Sequence, residues 1–139
     1  MRTQTITLSD VEVGQKLAEL EFPVTASAIV AAALATNDFE NVHHDMAAAK
    51  ATGVPNIFMN ILTTNGLVQR YVTDWCGPAG RITAVDIKLG APNFAGDTMT
   101  LTGEIVEVSQ GVVKIDVKGT NVIGEHVTAT VSLKLGETS

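Results

Sequence analysis

Asn56-Ile57-Phe58-Met59-Asn60-Ile61-Leu62-Thr63-Thr64-Asn65-Gly66-Leu67-Val68-Gln69-Arg70-Tyr71-Val72-Thr73-Asp74-Trp75 is the longest stretch of helical periodicity in the chain. Ile57, Ile61, Val68, Tyr71 and Trp75 recur at helical spacing, while Phe58, Leu62 and Val72 form a second apolar stripe. This predicts a helix capped by Asn56, buried on more than one side, and ended by Gly77-Pro78. About twenty residues of helix would span roughly 30 Å.

After the helix the period changes to two. Ile82, Val85, Ile87 and Leu89 belong to one predicted strand, and Met99, Leu101, Ile105 and Val108 to the next. Val113, Ile115 and Val117 alternate with charged residues, and Val127, Ala129, Val131 and Leu133 alternate with Thr, Ser and Lys. Gly96-Asp97, Gln110-Gly111 and Gly124-Glu125 mark the turns. Before the helix, Lys16–Val24 reads as a strand and Ala26–Thr36 as an alanine-rich helix capped by Thr25. Asp45 caps a short helix, Met46 to Ala51, stopped by Gly53 and Pro55. The expected architecture is α+β, with one long apolar helix packed on one face of a curved antiparallel sheet. A sheet covered on one face, with open edges, commonly pairs with a second subunit.

Composition narrows the functions available. The 139 residues fit a single domain over 1–139, and 45% hydrophobic content supports a real core. A net charge of −6 argues against nucleic acid or an anionic membrane as the main partner. No run approaches the roughly 18 apolar residues of a membrane span. The residues from Met1 to Asp10 hold one arginine and no apolar stretch, so no signal peptide is expected there. The lone cysteine, Cys76, has no basic neighbour and reads as an inert thiol of a reducing, cytoplasmic compartment.

Reaction chemistry concentrates in Asp38-Phe39-Glu40-Asn41-Val42-His43-His44-Asp45. A carboxylate and an imidazole five residues apart, on a turn between two helices, can form an acid/base pair held at both ends. Taken singly, Asp38 is a common turn residue and His43 a common structural histidine; the pairing is what gives them catalytic meaning. His44 is expected at the surface. Adjacent histidines diverge, and no Cys or Glu completes a tetrahedral set with His43, His44, Asp45 and His126, so no metal is expected.

Ala35-Thr36-Asn37-Asp38, His43-x-Asp45, Ala49 and Gly53 together resemble the signature of MaoC-like (R)-specific enoyl-CoA hydratases. The resemblance implies a hot dog fold in which the sheet wraps the central helix and the Asp and His lie on an overhanging segment. Longer runs resemble one branch of that family, the small catalytic subunits of actinobacterial steroid side-chain enoyl-CoA hydratases. They are Asn60-Ile61-Leu62-Thr63, Gly66 through Trp75, Gly77-Pro78 and His126 through Val131. Members of that branch work with a larger MaoC-like subunit in a heterotetramer; a homodimer is the simpler alternative. The pattern departs at two points: Glu40-Asn41 replaces Asn-Pro, and Met59-Asn60 replaces the His-Gly that opens the helix.

The resemblance implies water addition to a 2-enoyl-CoA, with Asp38 and His43 as catalytic residues and Asn60 and Met59 at the acyl group. An amide at the start of the helix would meet the thioester oxygen. A hydrophobic tunnel would raise the Asp38 pKa by desolvation. Arg70 and Lys50 are candidates for coenzyme A phosphates, with much of that grip expected from a partner subunit. No cofactor is expected. A hot dog thioesterase and a non-catalytic supporting subunit remain alternatives on sequence alone.

Overall fold

A computed structural model describes residues 5–136; Met1–Gln4, part of the stretch expected to lack a signal peptide, lie outside it. Strand β1 (Lys16–Val24) leads into helix α1 (Ala26–Ala35), whose N-cap Thr25 accepts from the Ala28 amide. A turn of 3-10 helix (Asn41–His43) and helix α2 (Met46–Ala51) follow. Next come helix α3 (Ile61–Cys76) and strands β2 (Arg81–Leu89), β3 (Asp97–Ser109), β4 (Val112–Thr120) and β5 (Glu125–Lys134).

The five strands form one antiparallel sheet in the order β1-β3-β4-β5-β2. Gln110 and Gly111, both at positive φ (50° and 78°), join β3 to β4 as a two-residue hairpin. The register stacks apolar rows across the sheet: Ile105 lies opposite Ile115, which lies opposite Val131, which lies opposite Val85. One row is made small, with Gly103 opposite Val117 and Val117 opposite Ala129. The Tyr71 ring of α3 lies over it; a Cβ at Gly103 would stand 3.0 Å from Cε1 of Tyr71. The Tyr71 hydroxyl donates to the Ala18 carbonyl at 2.8 Å, and burial, with the Glu19 charge adding, pushes its pKa up to about 12.

The central helix is shorter than its periodicity predicts. Its N-cap is Asn60, not Asn56, so it spans 16 residues, about 24 Å. Residues 57–59 stay out of the helix because tertiary pairing takes their backbone groups. Phe58 N–H donates to Val42 O at 3.2 Å, Met59 N–H to Asn93 O at 3.0 Å, and Ala95 N–H to Ile57 O at 3.1 Å. The predicted two-sided burial fails at the first turn, where Ile61 is 50% and Leu62 49% exposed. Leu67, Val68, Tyr71, Val72 and Cys76 carry the face packed on the sheet. No helix among the described residues is long and apolar enough to cross a membrane.

Candidate active site

Asp38 owes its place to the way α1 ends. Asn37 takes the left-handed conformation (φ 59°), which asparagine tolerates better than most residues. That turns the chain back so that the Asp38 amide donates to Ala33 O at 2.9 Å and the Asn37 amide to Leu34 O at 3.1 Å. This double closure is a Schellman-type stop. Asp38 therefore sits immediately beyond a fixed helix end. His43 ends the 3-10 turn, its amide donating to Glu40 O at 3.0 Å. Two residues on, Asp45 caps α2 by accepting from the Ala48 amide at 3.0 Å, so both flanks of the motif are anchored.

The two side chains meet. His43 Nε2 lies 3.5 Å from Asp38 Oδ2, with side chains 10% and 22% exposed. On the other side of the ring, Nδ1 is 2.7 Å from the carbonyl oxygen of Phe58. A carbonyl only accepts, so Nδ1 carries the hydrogen, and in the neutral imidazole Nε2 presents a lone pair. The Phe58 ring packs edge-on against the imidazole, centroids 5.1 Å apart, and in turn against Phe94 at 6.0 Å. Phe58, on the segment that precedes α3, thus sets both the tautomer and the plane of the histidine.

The carboxylate is held as firmly. Asn60 Nδ2 donates to Asp38 Oδ2 at 2.9 Å, and the Glu40 amide to Oδ1 at 3.3 Å. The Asp38 pKa lies below the usual carboxylate value, chiefly because of the Asn60 bond. Desolvation opposes that bond; the Glu40 amide and the charge of His43 reinforce it. This corrects the expectation that a hydrophobic tunnel would raise it: donors on the carboxylate outweigh desolvation. Two acceptors 3.5 Å apart, Nε2 and an ionised Oδ2, call for a donor with two hydrogens between them, and a water molecule is one.

Of the other sequence candidates, Asn60 belongs to the site through its side chain. Met59 is buried, with its amide engaged by Asn93 O, so that N–H is not free for a thioester oxygen. No acceptor for the Asn60 amide is found among the described residues. His44 and Lys50 are exposed, and Arg70 pairs with Asp74 one turn along α3 at 3.4 Å. Cys76 is the last residue of α3, fully buried, with its thiol pKa raised by burial. No group of three or more His, Cys, Asp or Glu placed to hold a metal occurs among the described residues.

Sequence reading missed the polar residues that brace the site from the sheet. His126 is buried, its Nδ1 donating to Ala91 O at 2.6 Å and its Nε2 sharing a hydrogen with the Thr64 hydroxyl at 2.8 Å. Asn121 Nδ2 donates to Asn93 Oδ1 at 2.8 Å, steadying the segment that pairs with Met59. Their partners lie far off in the sequence, where no spacing rule looks. A concavity of about 680 Å³ on the sheet, lined by Lys16, Glu104, Asp116, Lys118 and Thr130 among others, involves none of the dyad residues.

Comparison with known proteins agrees with this architecture. The chain is 50% identical over 123 residues to the 3-oxo-4,17-pregnadiene-20-carboxyl-CoA hydratase beta subunit of Mycobacterium tuberculosis, covering 88% of this chain and 95% of that one. It superposes with a TM-score of 0.88 on a chain of the ChsH1–ChsH2 complex from the same organism, at 49% identity, covering 90% of this chain and 98% of that one. The R-hydratase PhaJ1 from Pseudomonas aeruginosa shares the fold with a TM-score of 0.88 at 21% identity, covering 96% of this chain and 88% of that one. These matches support the hot dog arrangement expected from the sequence. The family description "MaoC like domain" matches residues 9–127. The chain belongs to the MaoC-like domain family.

Proposed function

We propose that this chain is the dyad-bearing subunit of an enoyl-CoA hydratase acting on a steroid side-chain or other bulky 2-enoyl-CoA. The observation that carries the reading is the 3.5 Å approach of Asp38 Oδ2 to His43 Nε2, with the Nδ1 hydrogen fixed on Phe58 O. The 50% identity to a named hydratase beta subunit supports the same chemistry and a bulky acyl group.

In this reading a water donates one hydrogen to each of the two acceptors. Asp38 takes a proton as the water oxygen bonds to Cβ, and the electron pair of the double bond moves onto the thioester oxygen as an enolate. The Asn60 amide, at the positive end of α3, is the candidate donor to that oxygen. The proton then returns from Asp38 to Cα, giving a 3-hydroxyacyl thioester with both carboxylate and imidazole restored. No cofactor takes part. The partner is a larger MaoC-like subunit, as the likeness to a two-component complex suggests, and the compartment is the cytoplasm.

The test is to purify the chain with any MaoC-like protein that accompanies it and follow loss of enoyl-thioester absorbance over a panel of acyl groups. Turnover without release of free thiol is expected, fastest on steroid side-chain thioesters. Release of thiol from a saturated acyl-CoA would instead establish hydrolysis and contradict the proposal.

A further inference from the structure

We propose that the Asn60 side chain is a positioning residue, a clamp that aims one carboxylate oxygen of Asp38 at His43 and keeps that carboxylate charged. This rests on the hydratase reading for its consequence in catalysis, although the clamp itself is a matter of geometry.

Asn60 is almost fully buried. Its Oδ1 accepts from the Thr63 amide at 3.0 Å, which caps α3. A backbone amide can only donate, so the oxygen is on that side and the NH₂ group on the other. The two Nδ2 hydrogens then have two acceptors, Thr36 Oγ1 and Asp38 Oδ2, each at 2.9 Å. Thr36 Oγ1 gives its own hydrogen to Ala32 O at 2.8 Å, so its lone pairs are what face Asn60. One side chain therefore ties the start of α3, the end of α1 and the catalytic carboxylate together, with every donor and acceptor fixed.

Such a donor favours the charged carboxylate over the neutral acid. The ionisable groups around Asp38 are few. His43 Nε2 stands across from it; Glu40 lies two residues on, and His44, Asp45 and Lys50 follow on the turn and α2, all four with exposed side chains. Helix α1 has no ionisable side chain, α3 has none before Arg70, and residues 91–95 have none. With so little charge nearby, a single uncharged amide can dominate the protonation of Asp38, and its bond is the largest cause of the lowered pKa. Asp38 would then enter the reaction as a base at neutral pH.

Asn60→Ser and Asn60→Asp separate this role from helix capping, because serine and aspartate both cap helices well while neither offers Asp38 an amide hydrogen. The direct readout is the carbon-13 titration of the Asp38 carboxyl by NMR, on the chain together with any partner that accompanies it. The Asp38 pKa is expected to rise by about one unit in Asn60→Ser, and by about two in Asn60→Asp, where a like charge replaces the donor. The acid limb of kcat/KM for hydration should move with it. In Asn60→Asp, a rise of about two units from a parent value below the ordinary carboxylate range means a loss of a few-fold, less than about sevenfold, between pH 8 and pH 5, with KM little changed. Folded variants whose Asp38 titrates within about 0.3 unit of the parent would overturn the clamp. Because the titration needs no turnover, an inactive parent would count against the hydratase reading alone.

Discussion

Alanine at His43 or at Asp38 is expected to lower kcat/KM for hydration by about 10²–10⁴-fold while leaving the fold intact. The loss should fall mainly on kcat, since neither group needs to grip the coenzyme portion of the substrate. His43→Ala removes the Nε2 lone pair and leaves the Phe58 carbonyl without its ring donor. Asp38→Ala removes the proton carrier and leaves Asn60 Nδ2 with Thr36 alone. Because both groups address one water, the double variant should be scarcely worse than either single one. Additive losses would mean that the two act in separate steps. The check is steady-state kinetics on the three variants, each first shown by thermal unfolding to be folded.

The second large effect lies in the brace behind the site. His126→Ala removes the partner of the fully buried Thr64 hydroxyl and of the Ala91 carbonyl and opens a ring-sized hole, which together should cost about 2–5 kcal/mol. The same histidine should make the fold acid-sensitive. Burial is the main cause holding its pKa below the ordinary value, against the opposing bond to Ala91. The unfolded chain therefore takes up the proton more readily than the folded one. Its stabilisation is complete above the ordinary histidine value, about 6.5, and is lost as pH falls from there toward the lowered folded value. Asp38 and Asp10, both with lowered pKa, contribute only where carboxylates titrate, below about pH 5. Thermal unfolding between pH 7.5 and pH 4.5 checks this. The parent should lose Tm on acidification, and His126→Gln should start lower and show a flatter slope.

Most strand and helix limits were legible because they follow periodicity and capping. Lys16–Val24 and Met46–Ala51 lie where alternation and the Asp45 cap place them. The start of the central helix was not legible, since Ile57 and Phe58 keep helical spacing with Ile61 while their backbones pair with Val42 and residues 93–95. Periodicity records which side chains are apolar; it does not record a long-range strand-like pairing that claims the amides. That misreading hid the Phe58 carbonyl that orients His43. Asp38 and His43 themselves were legible because local sequence, through the Asn37 turn and the Asp45 cap, fixes both. The direction of the Asp38 pKa was not, because it depends on Asn60, 22 residues away and visible in sequence only as a departure from the family pattern.

The path of the water's atoms tests the pairing most directly. Hydration of a 2-enoyl-CoA in D₂O, read by proton NMR of the 3-hydroxyacyl product, reports whether the oxygen at Cβ and the deuteron at Cα arrive on one face. A water held between Asp38 and His43, with its proton handed back by Asp38, predicts syn addition with one deuteron at Cα. Anti addition would require a proton donor on the opposite face and would contradict the account.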